Sequence, residues 1–306
     1  MIPSPGSAGD ALRQRIVAFA RDASIEATPH DEQRLPELLG LLRAGTTVHV
    51  AHPPRWRIQD VVRVAIKIRK AGYVARPHIV ARAVLSEQAL RAALAELSAA
   101  GVDRILVVAG DAATPAGPFA STQDVLDCGA TLDWRLHTVA VAGHPEGHPA
   151  VAPDLLWEAL KTKQAFGVRT GTRIEVVTQF GFNPHAIVDW HEACSAKGIA
   201  LPVSVGLAGP APLSKLLRYA MQCGVGASLR ALARNKTAAA GLAGLSSGPE
   251  EMLTSLIRMG ATDDGLITRL HFYCFGGSLE TARWLRALTE GSFDLDEGGR
   301  SFTVRT

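Results

Sequence analysis

The chain has 306 residues, a length that fits one large α/β barrel. Apolar residues make up 47% of the sequence and charged residues 20%, with 29 glycines and 17 prolines; this profile is typical of a folded globular protein and excludes disorder, collagen and coiled coil. Lysine and arginine number 32 against 29 acidic residues, and no basic run stands out, so we expect no nucleic-acid partner.

Targeting and redox signals are few. No stretch approaches about 18 uninterrupted apolar residues, so we expect no membrane-spanning helix. Residues 1–6 lack a basic region followed by an apolar core, so we expect no secretory signal. The cysteines are far apart and form no Cys-x-x-Cys pair: Cys128, Cys194, Cys223 and Cys274. We therefore expect reduced thiols in a cytoplasmic protein. The sequence does not decide whether the protein forms a homo-oligomer.

Short β-branched runs alternate with longer amphipathic runs along the chain. A first helix is predicted over residues 7–20. Strands are then predicted at 23–27, 46–51, 73–80, 104–109, 137–142, 173–178, 201–206 and 268–274. Helices are predicted over 34–43, 57–71, 86–100, 153–168, 184–197, 212–223, 249–260 and 278–290. Residues 229–248 are the least regular part, interpreted as a helix followed by a loop.

Eight strands alternating with helices imply a parallel sheet that is buried on both faces. A closed (β/α)₈ TIM barrel accounts for this pattern most simply, as one domain over 1–306 with an extra N-terminal helix and peripheral tails at 1–8 and 291–306. The alternative is a doubly wound open sheet. That fold favours a glycine-rich turn after its first strand, and residues 24–29 contain no glycine.

Polar side chains follow nearly all of the predicted strands, at the end where barrel enzymes place their active sites. So many polar groups at equivalent ends of apolar strands are hard to explain by packing. They are Glu26, His52, His78, Asp111, His144, Glu146, His148, Gln179 and Tyr273.

Three of these side chains invite specific roles. Glu26 lies in an apolar strand, so burial should raise its pKa and suit it to general acid catalysis; pairing with an arginine is the alternative. Asp111 follows Gly110, which lets the backbone approach a ligand, although an Asx turn or a helix cap is also open. Gln179 can donate and accept hydrogen bonds to a planar heterocycle, or else satisfy loop backbone.

The histidines raise the question of a metal. His144 and His148 are four residues apart, but the prolines and glycine around them exclude a helical His-Glu-x-x-His site. A metal barrel that gathers His52, His78, His144 and His148 stays open. We predict no metal, because no His-x-His occurs at the first strand and no aspartate stands at the eighth.

These positions resemble methylenetetrahydrofolate reductase over residues 22–290. The segments that carry the resemblance are Ser24-Ile25-Glu26 with Pro29, Pro77-His78-Ile79, Val108-Ala109-Gly110-Asp111, Val139 to Pro149, Val177-Thr178-Gln179-Phe180 and His271-Phe272-Tyr273. The Pro-Glu-Gly-His-Pro and Thr-Gln-Phe segments are the more specific ones.

The resemblance implies a (β/α)₈ barrel that reduces 5,10-methylenetetrahydrofolate to 5-methyltetrahydrofolate, with a reduced nicotinamide normally passing its hydride through FAD. By position, Glu26 is similar to the acid that protonates N10 and opens the ring. Asp111 is similar to the carboxylate beside the pterin. Gln179 is similar to the pterin-recognising glutamine, and Tyr273 to a tyrosine near substrate and nicotinamide.

The chain also departs from the family pattern where the flavin is held. Where the family usually has Leu-Arg-Gly-Asp, this chain has Val108-Ala109-Gly110-Asp111. The family's threonine after the second strand is missing around Val50-Ala51-His52, and its tyrosine before Pro-Glu is replaced by His144. Further losses fall near Ala159, Thr162 and Gly276-Gly277, while Lys163 is retained.

Losing several charged contacts at about 1.5 to 3 kcal/mol each should weaken flavin binding. We therefore expect a flavin-free enzyme in which NADH or NADPH is bound by His52, His78, Gly110, His144, His148 and Lys163 and reduces the folate directly. FAD held through backbone groups, His78, His148 and Lys163 is the alternative. A folate-binding pseudoenzyme and a metal-dependent barrel hydrolase are competing hypotheses of other classes.

Overall fold

Eight short apolar segments become parallel strands that close into a barrel in a computed structural model of the chain. The structure describes residues 5–134, 136–223, 225, 246–247, 249–260 and 267–305. The barrel strands are β1 (Ser24–Ala27), β2 (Thr47–Val50), β3 (Val74–Val80), β4 (Arg104–Val108), β5 (Thr138–Gly143), β6 (Arg173–Thr178), β7 (Val203–Ala208) and β10 (Ile267–Tyr273). Each strand pairs in parallel with its neighbours, and β10 closes the barrel between β7 and β1. The predicted (β/α)₈ barrel is confirmed.

Helices separate the strands along the chain. They are α1 (Pro5–Arg21), α2 (Leu35–Gly40), α3 (Ile58–Lys70), α4 (Glu87–Ala99), α5 (Thr122–Asp127), α6 (Ala130–Asp133), α7 (Pro153–Thr170), α8 (Pro184–Ala196), α9 (Leu213–Gln222), α10 (Glu250–Arg258) and α11 (Ser278–Thr289). Among the helices in the described ranges, none is long and apolar enough to cross a membrane.

The predicted elements differ from the observed ones mainly at their ends. The seventh strand begins at Val203 rather than at residue 201, because Pro202 has no N–H to donate to the sheet and only its carbonyl is used, by the amide of Val176 at 2.8 Å. Helices α5 and α6 were not predicted. The interpretation of residues 229–248 falls outside the described residues, apart from the two-residue strand β9 (Ser246–Ser247), which pairs with β8 (Ala211–Pro212).

The last part of the described chain packs against the barrel's helices. Strands β11 (Phe293–Leu295) and β12 (Phe302–Val304) form an antiparallel hairpin, and the side chains of Phe293 and Phe302 are buried. The Arg13 guanidinium of α1 donates to the carbonyl of Phe293 at 2.7 Å. This hairpin therefore adds apolar surface to the protein's core.

One half of the barrel's interior is polar. The rings of His49 on β2 and His271 on β10 lie 4.1 Å apart between centroids, although β1 separates the two strands, so both rings point inward. His49 Nδ1 is 3.2 Å from His78 Nε2. Farther toward the amino ends, Arg76 on β3 donates across the barrel to Glu175 on β6 at 2.9 Å.

The other half of the interior is apolar. Leu106, Ala140 and Val177 form a small separate cluster with Val108 against it. Residues two apart on a strand share a face, so the same alternation that sends Ile25 and Val48 outward to the helices sends Ser24 and His49 inward.

The turn after β4 requires a glycine. Gly110 has φ +89°, and a Cβ at this position would lie 2.4 Å from Val80 Cγ1. Backbone conformation and space therefore both exclude a larger residue directly before Asp111.

We expect Gly110→Ala to lower the free energy of unfolding by about 2 to 4 kcal/mol, of which about 1 to 2 comes from the left-handed backbone and the rest from overpacking against Val80. Gly129→Ala is the matched control, because Gly129 has φ +77° but no atom within 4 Å of the added Cβ. Thermal or chemical denaturation measures both. Equal losses in the two variants would contradict the proposed clash with Val80.

Candidate active site

Glu26 lies near the carboxyl end of β1, where its carboxyl accepts a hydrogen bond from the backbone N–H of Cys274. Burial of the carboxyl and the negative charge of the nearby Asp31 raise its pKa to about 8, against the lowering effect of that hydrogen bond. In the described part of the chain no arginine pairs with it. Glu26 can therefore stay protonated near neutral pH, as a general acid must.

Asp31 is held rigidly beside this carboxyl. Its Oδ2 accepts hydrogen bonds from the N–H and the hydroxyl of Thr28 at 2.8 and 2.9 Å, and its Oδ1 accepts from the Ser278 hydroxyl at 2.5 Å. Three hydrogen bonds therefore fix the position of this carboxyl group. Asp31 was not among the predicted site residues, although the Thr-x-x-Asp spacing of a capping box for the 3₁₀ helix Pro29–Arg34 is a sequence signal that marks its position.

Four predicted site residues lie close to the thiol of Cys223: Glu26, Asp111, Gln179 and Tyr273. Burial raises the pKa of this thiol to about 11, and the charges of Asp111 and Glu26 act in the same direction, while a hydrogen bond with the Gln179 side chain opposes them. Tyr273 in turn has its pKa raised by burial, by Glu26 and by Cys223. Residues from β1, β10 and the segments after β4, β6 and α9 thus meet at one end of the barrel.

Gln179 and Tyr273 are oriented by backbone contacts. Gln179 Oε1 accepts a hydrogen bond from the N–H of Phe180 at 3.2 Å, so the side chain does bond to loop backbone, the alternative role considered for it. The Gln179 side chain also forms a hydrogen bond with Cys223. The Tyr273 hydroxyl donates to the carbonyl of Thr178 at 2.9 Å. Its ring packs edge-on against Phe180, with centroids 5.6 Å apart.

An aromatic wall continues from these two residues. Phe275 lies 5.0 Å from the rings of both Phe180 and Tyr219. It has φ +48°, a rare conformation for a residue with a side chain. Such strain persists only when the surrounding packing holds it, and here it places one more ring beside Tyr273.

The loop that carries Asp111 is fixed by Arg82. The guanidinium of Arg82 donates to the carbonyls of Ala112 at 2.8 Å and Ala120 at 2.9 Å. Asp111 itself is exposed. Among the described residues its carboxylate has no hydrogen-bond partner, so the Asx turn considered for it does not form.

His144, His148 and Lys163 form a second group. The rings of His144 and His148 meet edge-on at 5.1 Å between centroids, in a turn closed by the amide of Gly147 and the carbonyl of His144. Burial lowers the pKa of Lys163 to about 8, and burial together with His148 and Lys163 lowers that of His144 to about 4. No carboxylate within the described residues pairs with Lys163, so this partly buried ammonium is available to an anion.

His52 and His78 lie on a different side. His52 Nε2 is 2.8 Å from the carbonyl of Trp56, while its Nδ1 is buried without a partner in the part of the chain that is described. Burial, His52 and Arg76 lower the pKa of His78 to about 3, and its Nε2 faces His49 inside the barrel. Both rings are therefore neutral at physiological pH.

Glu146 has a structural role. From the sequence, its position between His144 and His148 indicated only a possible metal ligand. Its Oε1 accepts from the N–H of Phe182 at 3.0 Å and lies 2.8 Å from the position of a Cβ at Gly181. It therefore joins the turn after β5 to the segment that follows Gln179. Within the described ranges, no three His, Cys, Asp or Glu side chains are grouped closely enough to hold a metal ion.

Comparison with known proteins identifies the family. The model of the family described as methylenetetrahydrofolate reductase matches residues 63–284, well over half of the chain. The chain belongs to the methylenetetrahydrofolate reductase family. It is therefore an oxidoreductase of folate one-carbon metabolism.

The family match includes Asp111, Gln179, Tyr273 and Lys163 but begins after Glu26. One similar solved structure is dihydropteroate synthase (FolP) from Thermus thermophilus, with 13% sequence identity and a TM-score of 0.43. The match covers 86% of this chain and 90% of the synthase chain. Nothing about function is transferred from it at this level of similarity.

The expected weak binding of FAD stays a prediction. Residue 109 is an alanine, and the guanidinium of the neighbouring Arg82 is already bonded to loop carbonyls. On α7, the Thr162 hydroxyl donates to the carbonyl of Glu158 at 2.8 Å. Lys163 is left as the cation in this group, next to His144, whose pKa is lowered to about 4 mainly by burial.

The charge of Asp31 adds to the effect of burial in raising the pKa of Glu26. Replacing Asp31 by Asn removes a negative charge, makes the Glu26 carboxylate easier to form, and should lower its pKa from about 8. Ser278→Ala is the control, since it removes one hydrogen bond and keeps the charge. Carboxyl ¹³C NMR titration, with Glu26→Gln to assign the resonance, measures the change. The same Glu26 pKa in wild type and Asp31→Asn would contradict the electrostatic role of Asp31.

Proposed function

We propose that the protein reduces 5,10-methylenetetrahydrofolate to 5-methyltetrahydrofolate, taking a hydride directly from NADH or NADPH without a bound flavin. The observation that carries the proposal is the Glu26 carboxyl, whose pKa is raised to about 8 mainly by desolvation, in one group with Asp111, Gln179 and Tyr273. These are the positions at which the chain resembles the reductases.

Glu26 supplies the proton for the first step. Its carboxyl protonates N10 of the folate, the bond between N10 and the methylene carbon breaks, and the bonding electrons stay on N10. The methylene carbon is then part of a cationic iminium with N5. A carboxyl group with a pKa of about 8 carries this proton at neutral pH, whereas an ordinary glutamic acid is ionised.

The neighbouring groups bind the pterin and favour the cation. Asp111 brings a carboxylate close to the developing positive charge, a form of electrostatic stabilisation. Gln179, oriented by the amide of Phe180, offers its remaining donor and acceptor sites to the ring edge. Tyr273 stays neutral because burial raises its pKa, and it adds an aromatic surface.

Hydride transfer completes the reaction. The hydride leaves C4 of the reduced nicotinamide with its electron pair and adds to the iminium carbon, giving the methyl group and the oxidised nicotinamide. Glu26 regains a proton from solvent. The two carbons must approach to about 3 to 3.5 Å, which one barrel mouth that binds both molecules provides. The ammonium of Lys163 has no carboxylate partner among the described residues and lies next to His144. It is the proposed partner of a phosphate group of NADH or NADPH, in the group that also contains His148.

Glu26→Gln should lower kcat for reduction by about 10² to 10⁴ with little change in folate affinity, because the amide keeps the size but has no proton to give. Asp111→Asn should be milder, about tenfold in rate. Glu96→Gln makes the same chemical change on the exposed surface of α4 and should leave the rate unchanged. Near-normal turnover in Glu26→Gln would remove Glu26 from this role.

The direct route is tested on purified protein. We expect an absorption spectrum without a stoichiometric flavin band, and methylenetetrahydrofolate-dependent oxidation of NADH or NADPH under anaerobic conditions. Added FAD should not raise the rate. A stoichiometric flavin band would refute direct transfer, while a folded protein that binds folate but shows no turnover would favour the pseudoenzyme hypothesis.

A further inference from the structure

A cavity lies at the amino-terminal end of the barrel, opposite to the candidate active site. Its volume is about 250 Å³. It is formed by the end of α1, the segment before β2 and the first part of β10, and its polar lining side chains are Arg21, Asp22, Arg43, Thr46, Thr47 and Arg269.

The charge of this cavity is unbalanced. Three of its lining residues are arginines, Arg21, Arg43 and Arg269, against one acidic residue, Asp22. Arg43 donates to the backbone carbonyl of Arg21 at 3.3 Å. Within the described residues none of the three arginines forms an ion pair, so their charges are not neutralised there.

Positive charge also accumulates around the buried Glu175, on which Arg76, Arg173 and Arg269 act. Arg76 and the exposed Arg173 both bond to its carboxylate, at 2.9 and 3.1 Å. Arg104 and Arg269 add further positive charge beside Arg76. The Nε atoms of Arg76 and Arg104 are buried with no hydrogen-bond partner in the described part of the chain, although Arg104 Nε lies 3.7 Å from Asp103 Oδ1. Several guanidinium groups thus surround Glu175 and repel one another.

We propose that this cavity is a binding site for a small phosphate-type oxyanion, such as inorganic phosphate or pyrophosphate. Guanidinium groups hold such anions through paired N–H donors, and the hydroxyls of Thr46 and Thr47 line the same space. The volume has room for about eight water-sized groups, which suits an anion of this size. Ligand pockets for larger organic molecules are about 300 to 1,000 Å³, so the volume favours a small anion.

This site is independent of the proposed reaction. Barrel enzymes carry out their chemistry at the carboxyl ends of the strands, and a ligand at the amino ends acts on stability. A bound anion would neutralise the converging arginines, and any ligand that binds only the folded state raises its stability.

The first test is thermal denaturation of the full chain in pyrophosphate or phosphate, with ionic strength held constant by sodium chloride. We expect a saturable rise in Tm of about 2 °C or more for either anion, and little change with chloride alone. A rise that never saturates, or one that chloride reproduces, would show only general screening and would overturn the proposal.

The second test places the anion at this end of the barrel. Arg43→Gln and Arg269→Gln should each weaken the apparent affinity for pyrophosphate by about tenfold or more, the loss of one charged contact. Two controls remove a charge from the opposite end: Arg55→Gln after β2, and Lys163→Gln in the candidate active site. Both should keep the affinity of the wild type. Unchanged binding in Arg43→Gln and Arg269→Gln, or its loss in Lys163→Gln, would refute the site.

Discussion

Closure of the barrel imposes the constraint on which the rest of the structure depends. A side chain on the inner face of a closed parallel barrel is removed from bulk water, so a polar group there must find its partners inside or change its charge. Arg76 and Glu175 meet this condition by pairing across the barrel. His49 and His271 meet it by staying neutral, with pKa values held well below the ordinary value by burial.

The same desolvation shifts the pKa values of the two ionisable groups proposed for the chemistry in opposite directions. It raises the pKa of Glu26 and lowers that of Lys163, so each is moved toward its neutral form. At the end of β1 the fixed charge of Asp31 adds to the effect of burial. Beside α7 there is no such carboxylate in the described residues, and Lys163 retains an unmatched positive charge at neutral pH. One end of the barrel thus holds a proton donor and a cation on separate elements.

The position of a candidate site residue could be predicted where it follows a strand, but not where the chain returns from elsewhere; the roles of these residues stay predictions. Glu26, Asp111, Gln179 and Tyr273 were selected because strand ends meet at one side of a parallel barrel, and the structure groups them. Cys223 lies among them but follows α9, and no pattern in the sequence brings that turn back to the mouth. A detectable signal was present for the interior, since β10 alternates Arg269, His271 and Tyr273 with apolar residues.

The sequence alone determined the barrel and the positions of nearly all its helices and strands, because hydrophobic periodicity and turn residues are local properties. It also identified the family through a few short segments. Only the tertiary structure decided which charges would be neutralised. The pKa of Glu26, the bond between Arg76 and Glu175, and the grouping of arginines at the amino-terminal end depend on distances between residues far apart in the chain. Closure of the barrel sets those distances.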